Sequence, residues 1–264
     1  MELSRHIRFS INPFRGEQPL GYNSYASKPC GEGFSLYFGL WVELSGAVDA
    51  DTGFVVNVAE IDRQVRAAVV PVFVTRICEA FQAGRHVTLS DVVELLKEGW
   101  SAVKGRFSGP EVSRMCLELN PFRKVAVWAE DCEVYSFSEK FEFAAMHTLW
   151  NPKFSEAKNL DVFGKCANPS GHGHNYVLEV TVERPVEGEE FGIGQFEKIV
   201  NEMFIQSVDH KNLNAQVPEF AELNPTVENI ARVAWQRLNG RFAGATLSSV
   251  TVWENDKTYC TYRG

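Results

Sequence analysis

Four of the six histidines in the 264-residue sequence fall in its second half, at His147, His172, His174 and His210. His172 and His174 stand at i and i+2 in a run that continues Tyr176, Leu178, Val180 and Val182. On a strand, the period of two turns both imidazoles to the apolar face. Two imidazoles side by side on an inward face are costly unless something satisfies them, and a metal ion does so. His147 closes an earlier run, Phe141-Glu142-Phe143-Ala144-Ala145-Met146-His147, and offers a third nitrogen. Three histidines with one open position make the ligand set of a catalytic zinc site, so zinc on His147, His172 and His174 is expected.

Cys166 precedes His172 by six positions. Zinc does not need a thiolate as well as three imidazoles, which leaves Cys166 free to act as nucleophile or base. A free thiol titrates near pH ~8.5 and only the thiolate reacts, so an activating group is required. Asp209-His210 offers one: a carboxylate beside an imidazole that can take the thiol proton. Glu254 ends the apolar run Val250-Thr251-Val252-Trp253. A carboxylate there can accept two parallel hydrogen bonds from a flat N–H/NH2 edge, such as guanine or a pterin presents.

The elements that must position these groups recur along the chain. Leu40-Trp41-Val42-Glu43-Leu44, followed by an acidic turn and a helix with Val58, Ile61, Val65 and Val69 on one face, matches a second series. That series is Leu178-Glu179-Val180-Thr181-Val182, an acidic turn, and a helix with Phe196, Ile199 and Met203. A second helix follows each, opened by Thr88 and by Thr226, both placed as N-caps. Val125–Asp131 then echoes Val250–Asp256, each a strand entering a tight hairpin. Three matches in the same order predict a tandem duplication, with units at 1–137 and 138–264. Each unit reads β-β-α-α-β-β, an antiparallel sheet with two helices on one face, which is the α+β class. The open edges of such sheets must be paired or covered, so oligomerisation through strand edges is expected.

Composition narrows the function. With 45% hydrophobic and 23% charged residues the chain is globular, not disordered. Its longest uncharged apolar stretch, Ala67–Thr75, contains Pro71 and falls far short of the roughly 20 residues of a membrane span. A net charge of −8, with both halves acidic, lacks the basic field of a nucleic-acid binder. The first eight residues carry charges where a signal peptide would be apolar, and the six cysteines have no close pairs. A cytoplasmic protein with reduced thiols is therefore expected. No dinucleotide-binding fingerprint is present.

The second half closely resembles the 6-pyruvoyl-tetrahydropterin synthase family. The resemblance lies in Phe143-Ala144-Ala145-Met146-His147, Phe163-Gly164-Lys165-Cys166, His172-Gly173-His174-Asn175-Tyr176, Asp209-His210-Lys211-Asn212-Leu213-Asn214, Pro225-Thr226-Val227-Glu228-Asn229 and Trp253-Glu254-Asn255. It implies the tunnelling fold (T-fold), whose β-β-α-α-β-β units join edge to edge into a barrel. It also implies zinc on His147, His172 and His174, a proton-transfer triad of Cys166, Asp209 and His210, and Glu254 as pterin anchor. Thr226 and Glu228 match a segment bordering the family's pterin pocket. The implied reaction converts 7,8-dihydroneopterin triphosphate to 6-pyruvoyl-tetrahydropterin with loss of triphosphate. The sister activity, 6-carboxy-tetrahydropterin synthase, usually carries Cys-x3-His-Gly-His; the x5 spacing here favours the pyruvoyl reaction. A non-enzymatic pterin-binding scaffold is the alternative from another class, and the complete motif set argues against it.

The first half resembles the same unit with its chemistry removed. Aligning Leu40 with Leu178 sets Phe34 and Leu36 where His172 and His174 stand. Asn12 or a neighbour replaces His147, Ala129 falls opposite Glu254, and Cys30 reads as a relic. In the resembled family neighbouring units share an active site, so like halves should associate with like. The chain is expected to form a homotrimer that imitates a hexamer of single units.

Overall fold

The structure, a computed structural model, describes residues 1–14, 35–129, 131, 133–188 and 191–264. Cys30 and Phe34 lie outside the described residues. The chain divides into two compact units, Met1–Phe137 with Pro185–Glu190, and Ser138–Arg184 with Phe191–Gly264. Each is an antiparallel sheet with helices, an α+β architecture.

The first unit contains β1 (Glu2–Ile11), β2 (Leu36–Ser45), α1 (Val58–Gln82), α2 (Leu89–Val103), β3 (Glu111–Glu118) and β4 (Arg123–Trp128), paired in the order β1-β2-β3-β4. Strand alternation buries Ile7, Phe9, Leu40, Val42 and Leu44 on the face that meets Ile61, Val65, Val69 and Phe73 of α1. The periodic positions of α1 continue through Pro71 to Ile77 and Ala80, so the helix runs 25 residues, well past Val69. Thr88 caps α2 as expected, in a capping box with Asp91. Gly99 lets the two helices approach, since a Cβ there would sit 2.9 Å from Val69 Cγ1.

The second unit contains β5 (Val134–His147, the first four residues of which group with the first unit), α3 (Glu156–Phe163), β6 (His172–Pro185), α4 (Ile193–Val200) and a π-helical turn (Asn201–Ile205). It continues with α5 (Gln206–Val208), β7 (Lys211–Asn212), α6 (Leu213–Gln216), α7 (Val227–Leu238), β8 (Thr246–Asn255) and β9 (Thr258–Tyr262). The sheet order is β5-β6-β8-β9, and β7 pairs in parallel with β5 at Ala145 and Met146. Thr226 caps α7 by accepting from Asn229 N. Tyr176, Leu178, Val180 and Val182 are fully buried beneath the helices, as their period predicts.

One strand correspondence is corrected. The Val125 run lies in β4, the fourth strand of its sheet, whereas the Val250 run lies in β8, the third. The counterpart of β8 is β3, because each pairs with the second strand of its sheet. Register supports this pairing. The β2–β3 ladder shifts between Glu43 and Leu44, and the β6–β8 ladder shifts between Thr181 and Val182, the same step once Leu40 is set on Leu178. Leu40 pairs with Leu117 and Leu178 with Val252, so Leu119, not Ala129, occupies the place of Glu254. Alternating valines suit any inner strand, which is why the residue pattern alone misassigned them.

Candidate functional site

The end of β5 and the start of β6 bring the three imidazoles together. His147 and His172 approach with Nε2 to Nε2 at 3.0 Å, and ring centroids lie 4.5 Å (His147–His172), 5.3 Å (His147–His174) and 4.8 Å (His172–His174) apart. His147 is buried, and its Nδ1 lies 2.7 Å from the carbonyl oxygen of Pro225. The proton therefore belongs on Nδ1 and the Nε2 lone pair faces His172. His172 Nδ1 and His174 Nε2 are buried with no hydrogen-bond partner. Two ring nitrogens that approach each other, with orphaned ring atoms on His172 and His174 beside them, suit a cation site, so these residues fit a metal ion. Burial, together with the neighbouring imidazoles, holds His147 and His172 below the usual histidine range, which keeps the rings in the ligating form.

Cys166 and Glu254 complete this cluster. The ligand atoms of His147, Cys166 and His172 lie within 4.8 Å of one another, and so do those of His147, His174 and Glu254. Cys166 sits in a 3-10 turn, Gly164–Ala167, held to the segment after β5 by Leu149 N donating to Cys166 O at 2.8 Å. Burial and the Glu254 carboxylate push its thiol upward. Glu254 stands at a register shift between Trp253 and Asn255, and such a bulge re-aims a side chain. Its Oε1 lies 3.7 Å from His147 Nε2 and 3.6 Å from His174 Nε2, beyond hydrogen-bonding distance.

The remaining predicted residues lie outside this cluster. Asp209 Oδ1 accepts from Ala144 N at 2.9 Å and Oδ2 lies 2.9 Å from His210 Nδ1. The Ala144 N–H, then His210, hold the Asp209 carboxyl below its ordinary value. His210 has φ of 56°, in the left-handed region, and its N donates to Ala144 O at 2.6 Å. Its side chain is 82% exposed, at the rim of a groove that Ala145, Gly173 and His174 also line. Thr226 spends its hydroxyl on the α7 cap, and Glu228 is exposed in the first turn of that helix.

Two participants were not read from the sequence. Tyr176 is fully buried, its hydroxyl 3.4 Å from His147 Nδ1. The same period of two that picked out His172 and His174 marks it. Pro225 contributes only a carbonyl, which no residue type announces.

An α+β unit with clustered imidazoles, a thiol and a carboxylate beside them and an Asp-His pair at the rim has groups that could hold a metal ion and groups that can carry protons. The model of the family "6-pyruvoyl tetrahydropterin synthase" matches residues 136–264. The human 6-pyruvoyl tetrahydrobiopterin synthase is 38% identical over 130 residues, covering 48% of this chain and 90% of that protein. The 6-carboxy-5,6,7,8-tetrahydropterin synthase of Aquifex aeolicus is 25% identical over 160 residues, 49% of this chain and 98% of that protein. A solved Caenorhabditis elegans 6-pyruvoyl tetrahydropterin synthase is 32% identical, covering 50% of this chain and 96% of that one, with TM-score 0.47. Through its second half the chain belongs to the 6-pyruvoyl-tetrahydropterin synthase family and is an enzyme of that type. Among the described residues no helix is long and apolar enough to cross a membrane.

Proposed function

We propose that the second unit, residues 138–264, is a zinc-dependent 6-pyruvoyl-tetrahydropterin synthase, converting 7,8-dihydroneopterin triphosphate to 6-pyruvoyl-tetrahydropterin with elimination of triphosphate. The observation that carries this reading is two groups able to hold a metal ion that meet at His147, one with Cys166 and His172 and one with His174 and Glu254, in a unit of this family. His147, His172 and His174 would hold zinc, which when bound supplies a Lewis acid for the substrate's side-chain oxygens and acidifies the adjacent C–H bonds. Glu254 accepts the N–H/NH2 edge of the pterin. Cys166, as thiolate, removes a carbon-bound proton, and His210, oriented by Asp209 at Nδ1, relays protons at Nε2. Thr226 and Glu228 border the pterin at the N-terminus of α7. Elimination and tautomerisation are an internal redox shift, so no nicotinamide is required.

The first unit, residues 1–137, is a degenerate copy, and among its described residues no group of His, Cys, Asp or Glu side chains is placed to hold a metal ion. The recurrent register shift at Glu43/Leu44 and Thr181/Val182 supports the duplication. The exposed His210 supports a site completed by a neighbouring copy, with three chains grouping second unit with second unit. The test is mass spectrometry after incubating the chain with dihydroneopterin triphosphate. The 6-pyruvoyl product with free triphosphate is expected; a 6-carboxy product or unchanged substrate overturns the reading.

A further inference from the structure

We propose that Asn214 is a positioning residue that fixes the metal-binding end of β5, the Cys166 turn and the Asp209-His210 pair into one frame; this rests on the function proposed above. The Asn214 side chain grips one residue with both arms. Its Oδ1 accepts from Thr148 N at 2.8 Å and its Nδ2 donates to Thr148 O at 3.0 Å. Thr148 N belongs to the peptide that leaves His147, so the first arm holds the backbone at that imidazole. Thr148 O belongs to the next peptide, whose N–H is that of Leu149, and this N–H donates to Cys166 O at 2.8 Å. A peptide that accepts at one end and donates at the other polarises both bonds, so the second arm reaches the thiol's own turn.

Asn214 is also tied to the acid-base pair by its own segment. Residues 209–214 run along β5 as a zipper: Asp209 Oδ1 and His210 N on Ala144, the β7 ladder on Ala145 and Met146, and Asn214 on Thr148. Without the last tooth, the segment's hold on β5 ends at Met146, one residue short of His147. Asn fits the task because its amide carries a donor and an acceptor at the spacing of a peptide's own pair, whereas a carboxylate offers acceptors only.

The test measures zinc affinity by competition with a chromophoric chelator alongside kcat and KM, in the full chain. Asn214→Ala should bind zinc about 10- to 100-fold more weakly and lose kcat by a similar factor, with KM little changed. Asn214→Asp keeps the acceptor for Thr148 N but sets an oxygen against Thr148 O, and should show the same direction; it serves if the alanine variant does not fold. Asn212→Ala is the comparison, since Asn212 Oδ1 caps α6 by accepting from Asn214 N at 3.1 Å and Ala215 N at 3.4 Å, while its hold on β5 is the backbone ladder at Met146, which alanine keeps. It should lower thermal stability and keep zinc affinity. Asn214 variants that fold with both zinc affinity and kcat within about twofold of the parent overturn the inference. So does an equal loss of zinc affinity in Asn212→Ala, which would make the effect one of α6 stability. A parent chain without zinc or turnover overturns the proposed function and this inference with it, whereas a working parent with indifferent Asn214 variants overturns this inference alone.

Discussion

The two units carry the same aromatic support under different chemistry. In the first, Phe9 stacks on Phe38 at 5.3 Å and 18°, and Phe73 from α1 meets Phe9 edge-on at 5.5 Å and 86°. In the second, Phe143 stacks on Tyr176 at 5.0 Å and 12°, and Phe204 from the π-helical turn meets Phe143 edge-on at 5.8 Å and 86°. Beyond that support the units part. Tyr176 carries a hydroxyl toward His147, with His174 two residues before it; Phe38 has no polar atom, and Leu36 stands two residues before it. Glu254 occupies a bulge where the first unit has Leu119. The same packed frame thus stands under an apolar face and under clustered imidazoles, because stacking and burial stabilise it independently of any metal.

This contrast can be broken most sharply at the thiol. Cys166→Ala should retain zinc and fold while turnover falls by about two to four orders of magnitude, the usual contribution of a general base. Cys30→Ala should leave turnover unchanged, as read by steady-state kinetics on the two variants side by side. A comparable loss from Cys30→Ala would give the first unit a part in catalysis.

The shared frame predicts a pair of equal stability effects with unequal consequences. Phe73→Ala and Phe204→Ala each remove a fully buried ring and should cost about 3–5 kcal/mol in chemical denaturation. Only Phe204→Ala should also weaken zinc binding, because Phe204 supports Phe143 and, through it, Tyr176 and His147.

Much of this frame was legible in the sequence, for physical reasons that also mark where legibility ended. Side-chain period placed His172, His174 and the buried run to Val182 on one face, and the Thr88 and Thr226 caps announced their helices through residue type. The π-helical turn before Asp209, the anchoring of Asp209 on Ala144 N and the Pro225 carbonyl on His147 are backbone events that no residue type encodes. The exchange of β4 for β3 as counterpart of β8 has the same origin: pairing partners are set by ladder and bulge, not by a valine pattern.

If Glu254 is the proposed pterin anchor, Glu254→Gln should weaken binding of a pterin substrate analogue in calorimetric titration by about 1–3 kcal/mol, since an amide meets a two-donor edge with one acceptor and one donor. Unaltered affinity would reject the anchor role and remove that difference from Leu119.

The smallest effect lies in the first unit. Asp91 is held down to about 2 by the Thr88 N–H first, then by Arg85 and the Thr88 hydroxyl. Its folded value is depressed, so its contribution is complete above the ordinary carboxylate value of 3.8 and is lost as pH falls through about 2. Asp91→Asn should remove about 1 kcal/mol at neutral pH and flatten the stability profile in that acid window, measured by urea denaturation across pH. Zinc content should be untouched.

Metal analysis of the purified chain tests most directly the claim that the chemistry resides in the second unit. The account predicts about one zinc per chain, falling to none in the double variant His172→Ala with His174→Ala. Two zinc ions per chain, or zinc retained by that double variant, would contradict it.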